Sequence, residues 1–173
     1  MTAIETPPPL RFGLDDAQAA GDEWDFNCGP CSICVVAGMT PAELRPHLMA
    51  HFDWDAKRYT NPTMMFRVLD YLGVKWCKCR NLTWPAWGLV RVQWAGPWTR
   101  EGVPIRARYR HTHWVASYLG KHSRGVFDVN AMCAGGWIPF AEWSTQLVPW
   151  LLKQCEPKAT GDWWVTHSLE VTR

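Results

Sequence analysis

The chain has 173 residues, 47% of them apolar and 20% charged, with a formal net charge of +2. That is one domain's worth of chain with enough apolar content for a core. So small a charge gives no reason to expect a nucleic-acid or membrane partner. The longest apolar run, residues 33–37, falls far below the roughly 18 residues of a membrane span. The opening MTAIETPPPL has neither the basic start nor the apolar run of a signal peptide. A cytoplasmic protein with reduced thiols is therefore expected, and its seven cysteines are too few for a disulfide scaffold.

Residues 1–22 are polar and Pro-rich and read as a loosely ordered N-terminal arm, leaving 23–173 as a single domain. Pro30 suits a first helical turn, an apolar run follows, and Gly38 ends it. Thr40, three residues before Glu43, forms a capping-box pattern that opens a second helix running to about His51. Asn61-Pro62 starts a third, with Met64, Met65, Val68, Leu69 and Leu72 on one stripe and Gly73 beyond its end. From there the period changes to two. Segments 74–79, 89–94, 105–110, 113–118 and 126–130 read as strands, 138–152 as a helix kinked at Pro149, and 162–171 as a last strand. Helices followed by strands with short turns predict an α+β fold built on an antiparallel sheet.

The most informative stretch is Asn27-Cys28-Gly29-Pro30-Cys31-Ser32-Ile33-Cys34. Cys28 stands at a helix start, where backbone amides and the helix dipole favour a thiolate. Three chemistries use such a cysteine. Cys28-Gly29-Pro30-Cys31 is letter for letter the thioredoxin redox tetrad, although residues 19–26 are too polar for the strand that precedes it in that fold. Cys28 and Cys31 with Cys77 and Cys79 could make a four-thiolate zinc site, but Cys77-Lys78-Cys79 on a strand points both thiols to one face, which suits packing equally. No metal and no cofactor are expected. Nucleophilic catalysis needs a histidine and a group to orient it. His113 opens an apolar strand, and 126–130 returns as the next strand carrying Asp128 and Asn130 on one face.

A cysteine at a helix start, a histidine opening a strand and an Asp or Asn on the following strand resembles the papain-like cysteine peptidase superfamily. Asn27-Cys28-Gly29-Pro30 looks most like the nucleophile stretch of bacteriocin-processing peptidases. His113-Trp114-Val115 with Phe127-Asp128-Val129-Asn130 is also similar to transglutaminase-like domains. The likeness covers residues 27–143 and implies a bacterial or phage source. It also implies a nucleophile helix packed on an antiparallel sheet, with Cys28 as nucleophile, His113 as base and acid, and Asp128 or, alternatively, Asn130 as orienting residue. The implied function is that of a cysteine peptidase or amidase acting on a peptide or protein substrate. That family commonly carries a glutamine six residues before the nucleophile, where this chain has Asp22. A carboxylate does not stabilise an oxyanion, so the expected donors are the Cys28 backbone amide with the side chain of Asn27 or Gln18. The alternatives are a thioredoxin-like oxidoreductase and a catalytically degenerate papain-like binding module.

The remaining features have plainer readings. Cys34, Cys77, Cys79, Cys133 and Cys155 read as packing thiols, and His111 as a group beside His113. Arg106, Arg108 and Arg110 would share the solvated face of a strand. Trp137 would shield the His113–Asp128 pair, and Trp84, Trp87, Trp94 and Trp98 would line a groove for substrate.

Overall fold

The computed structural model describes residues 6–25, 27–52 and 60–172, with the side chain of Arg106 left aside. Four helices come first: α1 (Leu14–Trp24), α2 (Cys28–Ala37), α3 (Pro41–His51) and α4 (Pro62–Tyr71). The strands are β1 (Trp76–Lys78), β2 (Trp87–Trp94), β3 (Thr112–Leu119), β4 (Arg124–Phe127), β5 (Trp137–Pro139) and β6 (Trp163–Val171). A short helix α5 (Ile105–Arg108) precedes β3. After β5, α6 (Phe140–Glu142) and α7 (Val148–Lys153) are joined by a π-helical turn, Trp143–Leu147. The strands form one antiparallel sheet in the order β1-β6-β2-β3-β4-β5. The architecture is α+β.

The helix boundaries follow local chemistry. The Thr40 hydroxyl accepts from the Glu43 amide and the Glu43 carboxylate accepts from the Thr40 amide, closing the capping box. Asn61 caps α4 through the Met64 amide. Gly38 ends α2 in the left-handed region at φ 67°, where a side chain would be strained.

The sheet divides the interior into two apolar layers. On one face Cys31, Ile33, Cys34, Leu44, Leu48, Met65 and Leu69 pack against Trp87, Leu89, Trp114, Ala116 and Leu169. On the other, Val90, Val92, Val115 and Val126 pack beneath Trp143, Val148 and Leu152. Strand β2 lies at the centre, and all eight of its residues are buried. Its partner β6 carries a bulge: Arg91 pairs with His167 and Val92 with Val165, so Thr166 is the extra residue.

Three expectations need correction. Residues 14–22 are not a loose arm but most of α1, whose Ala17, Ala20 and Trp24 are buried in the core; residues 1–5 of the expected arm lie outside the described residues. Spacings of three and four set those side chains on one helical face, but alanines carry little apolar signal amid acidic neighbours. Segment 105–110 is not a strand. Ile105–Arg108 form a helical turn after Pro104, so Arg106, Arg108 and Arg110 do not share a strand face. Strand β4 ends at Phe127, where Asp128 caps a 3-10 helix, Val129–Ala134, through the Asn130 amide.

Candidate active site

Helix α2 lies across β3, with the Ser32 hydroxyl donating to the Trp114 carbonyl. That contact brings the first residue of α2, Cys28, to the start of β3, where the Trp114 backbone N–H donates to its sulfur. Gly29 lets Thr60 pack against the start of α2, because a Cβ at that position would stand 2.0 Å from the Thr60 hydroxyl oxygen.

His113, 85 residues from Cys28 in the chain, hydrogen-bonds the Cys28 thiol. Its Nε2 lies 2.8 Å from Asp128 Oδ2, so Nδ1 is the ring nitrogen left for the sulfur. The imidazole is 7% exposed and leans on Trp94, ring centroids 6.0 Å apart. Asp128 is fully buried. Its Oδ2 also accepts from Trp143 Nε1 (2.8 Å), and its Oδ1 accepts from the Asn130 backbone amide and side-chain Nδ2, each at 2.9 Å. Asn130 therefore braces Asp128 while Asp128 holds the ring.

The charges follow from this geometry. Burial opposes the Cys28 thiolate, but the hydrogen bond and charge of His113, with the Trp114 amide, outweigh it and lower the thiol pKa. Burial also opposes the imidazolium, yet Asp128 and the thiolate raise His113 to about 10. Asp128 is held below the usual carboxylate range: burial works against ionisation, and His113, Trp143 and Asn130 overcome it. Both shifts favour the proton on His113 over the proton on Cys28. Such a pair can attack an electrophilic carbon and then return a proton.

A stability profile should report that pair. Folded, His113 keeps its proton to about pH 10, and Cys28 gives up its proton more readily than an unfolded thiol. Unfolded, the imidazole titrates at about pH 6.5 and the thiol at about pH 8.5. The His113 contribution to stability should therefore decline as the pH rises from about 6.5 to about 10, while the Cys28 contribution grows up to about pH 8.5 and offsets part of that decline. In Cys28→Ser only the histidine titrates in that range. Its imidazolium is favoured in the folded state by Asp128, so stability should decline from about pH 6.5 upward, by at most about 1.4 kcal/mol per pH unit. Urea midpoints between pH 5.5 and 9.5 distinguish the two curves.

The other expected residues are placed as follows. The Asn27 amide donates to the Ala17 carbonyl (2.7 Å), tying the start of α2 to α1 and not to the sulfur. Gln18 is exposed on α1. The Cys28 amide, in the first turn of a helix and without an intrahelical acceptor, is the expected oxyanion donor that the fold sets beside the thiol. Cys31 is fully buried and pushed up to about 12, chiefly by burial. Cys34 is buried too, whereas Cys77 and Cys133 are exposed and do not pack. Among the described residues no three His, Cys, Asp or Glu side chains gather as metal donors. His111 lies tilted against Trp98, ring centroids 4.3 Å apart.

The tryptophans are arranged otherwise than expected. Trp137 packs on Trp87, Tyr118 and Phe127, while Trp143, which sequence reasoning missed, holds Asp128. Trp87, Trp94 and Trp98 are core residues, and Trp84 meets Trp143 edge-on, so these four do not line a groove.

In comparisons with protein-family models, curated protein sequences and solved structures, nothing matches this chain. Its function has to be read from its own geometry.

Proposed function

We propose that this protein is a papain-like cysteine hydrolase, a peptidase or amidase that acts on a peptide or isopeptide amide through Cys28, His113 and Asp128. One observation carries the reading: an unbroken hydrogen-bonded series from a helix-start thiol through an imidazole to a fully buried carboxylate. The Cys28 thiolate attacks the carbonyl carbon, forming a C–S bond, and the resulting oxyanion is met by the Cys28 amide. The His113 imidazolium gives its proton to the leaving nitrogen as the C–N bond breaks, which leaves a thioester. His113, now neutral, takes a proton from water, whose oxygen attacks the thioester and releases the acid and the thiolate. Asp128 fixes the ring orientation and stabilises the imidazolium, and Trp143 and Asn130 fix Asp128. Seven unpaired thiols accord with a reducing, cytoplasmic setting.

The thioredoxin-like reading is less well supported. The segment leading into Cys28 is helix α1, not the strand that precedes the tetrad in that fold.

Iodoacetamide at pH 6.5 with peptide mapping tests the proposal. Cys77 and Cys133, both exposed, serve as internal standards. Cys28 should alkylate first, and Cys28→Ala should abolish any cleavage found in a fluorogenic peptide-amide library. Labelling of Cys28 no faster than of Cys77 refutes an activated nucleophile. Fast labelling with no cleavage of any amide would leave a binding module in place of a hydrolase.

A further inference from the structure

Cys28-Gly29-Pro30-Cys31 sets two thiols three residues apart in the first turn of α2. On a helix such positions are neighbours, with Cβ atoms about 5–6 Å apart, whereas a disulfide needs about 3.5–4.5 Å. The start of a helix is where that gap closes most easily. The Cys31 amide donates to the Asn27 carbonyl (2.9 Å), which is the first bond of the helix. The Cys28 and Gly29 amides precede it, Asn27 gives them no side-chain cap, and Pro30 has no N–H. Cys28 is therefore free to turn towards Cys31 without breaking a helical bond of its own amide.

The two thiols have the complementary environments of a sensing and a resolving cysteine. Cys28 is half-buried, and although burial opposes its thiolate, the hydrogen bond and charge of His113 lower its pKa. It is thus the thiol that reacts with an oxidant. Cys31 is fully buried and pushed up to about 12 by burial, with the Cys28 charge adding to the rise. It stays protonated and screened from the oxidant, one turn from the sulfur under attack. Cys34 repeats the spacing from Cys31, but both are fully buried and both are raised by burial, so that pair has no sensing member.

We propose that hydrogen peroxide converts Cys28 and Cys31 into a reversible disulfide, which switches the nucleophile off and shields it from irreversible oxidation. The proposal rests on the reading of Cys28 as nucleophile only in making the oxidised chain an inactive enzyme. The Cys28 thiolate attacks one peroxide oxygen, the O–O bond breaks, and the leaving hydroxide takes the His113 proton to become water. Cys28 is then a sulfenic acid, and the charges that held its sulfur to His113 are gone. The Cys31 sulfur attacks the Cys28 sulfur, the S–O bond breaks, and hydroxide leaves with the Cys31 proton as a second water. The two thiols give up two electrons, and one peroxide becomes two waters.

Excess hydrogen peroxide, added to the full chain at pH 7, tests the switch. Labelling of Cys28 by iodoacetamide should be lost and then restored in full by dithiothreitol. The oxidised chain should be lighter by two hydrogens, and after denaturation iodoacetamide should label Cys34 but neither Cys28 nor Cys31. In Cys31→Ala the same treatment should carry Cys28 on to the sulfinic acid, from which dithiothreitol restores no labelling. A wild-type chain in which peroxide leaves Cys31 free, or joins Cys28 to another thiol, overturns the switch, and neither outcome depends on whether Cys31→Ala folds. Recovery in Cys31→Ala as complete as in the wild type also overturns it. The iodoacetamide rate at Cys28 before oxidation reports on the nucleophile separately. Slow labelling there refutes that reading, whereas fast labelling without a Cys28–Cys31 disulfide refutes the switch alone.

Discussion

Replacing His113 by asparagine should slow alkylation of Cys28 at pH 6.5 by about 100-fold. The imidazole supplies the hydrogen bond and the positive charge that hold the thiol below its ordinary value, against the burial that pushes it up. Without them, an ordinary thiol of pKa about 8.5 is only about 1% ionised at pH 6.5, and burial depresses that fraction further. The loss should shrink as the pH is raised towards 9, because the unassisted thiol then ionises by itself. Cys77 and Cys133, exposed and remote from His113 in the chain, should label at unchanged rates. A His113→Asn protein whose Cys28 labels as fast as the wild type's would show that the helix end alone activates the thiol.

The largest stability effect belongs to Asp128. Its two oxygens accept four hydrogen bonds, from His113, Trp143 and, twice, Asn130, and none of the carboxylate is exposed. Asp128→Ala removes every acceptor at once and leaves Trp143 Nε1, itself fully buried, without a partner. The imidazolium also loses its counter-charge. Loss of one member of a buried charged network costs about 3–5 kcal/mol, which urea unfolding at pH 7 would measure. Asp128→Asn preserves the shape and one carbonyl oxygen, so it should cost less while still lowering the His113 pKa and, with it, Cys28 reactivity. Asn130→Ala should cost only about 1 kcal/mol, since the backbone amide still donates to Asp128. This series separates the residue that holds the imidazole from the one that braces it.

Much of this architecture was legible in the chain. Pro30 and Gly38 bracket α2, Thr40 and Glu43 announce α3, and Asn61-Pro62 announces α4, because caps and breakers act on neighbouring residues. Cys28 at a helix start and His113 at a strand start were readable for the same reason. Other features were hidden by misleading periodicity. Ile105, Arg106, Ala107 and Arg108 alternate like a strand, yet the segment is a helical turn with Ile105 71% exposed. Arg91 and Gln93 alternate with valines as though facing solvent, yet the Thr166 bulge and the Tyr109 ring cover Arg91, and both residues are buried.

Trp143 carried no signal at all. It is one tryptophan among thirteen, and its indole reaches Asp128 only because the segment after β5 folds back over the sheet. The sequence alone determined many of the element types, most helix ends, the α+β class and the three residues to examine, since each of these depends on contacts within a turn or a strand of the residue itself. Only the tertiary structure decided that Cys28 meets His113 across 85 residues, that Asn130 serves Asp128 and not the ring, and that Arg91 is buried with no carboxylate beside it among the described residues. Those outcomes depend on how helix α2 crosses β3 and where β6 bulges, and such packing is set by the whole core at once.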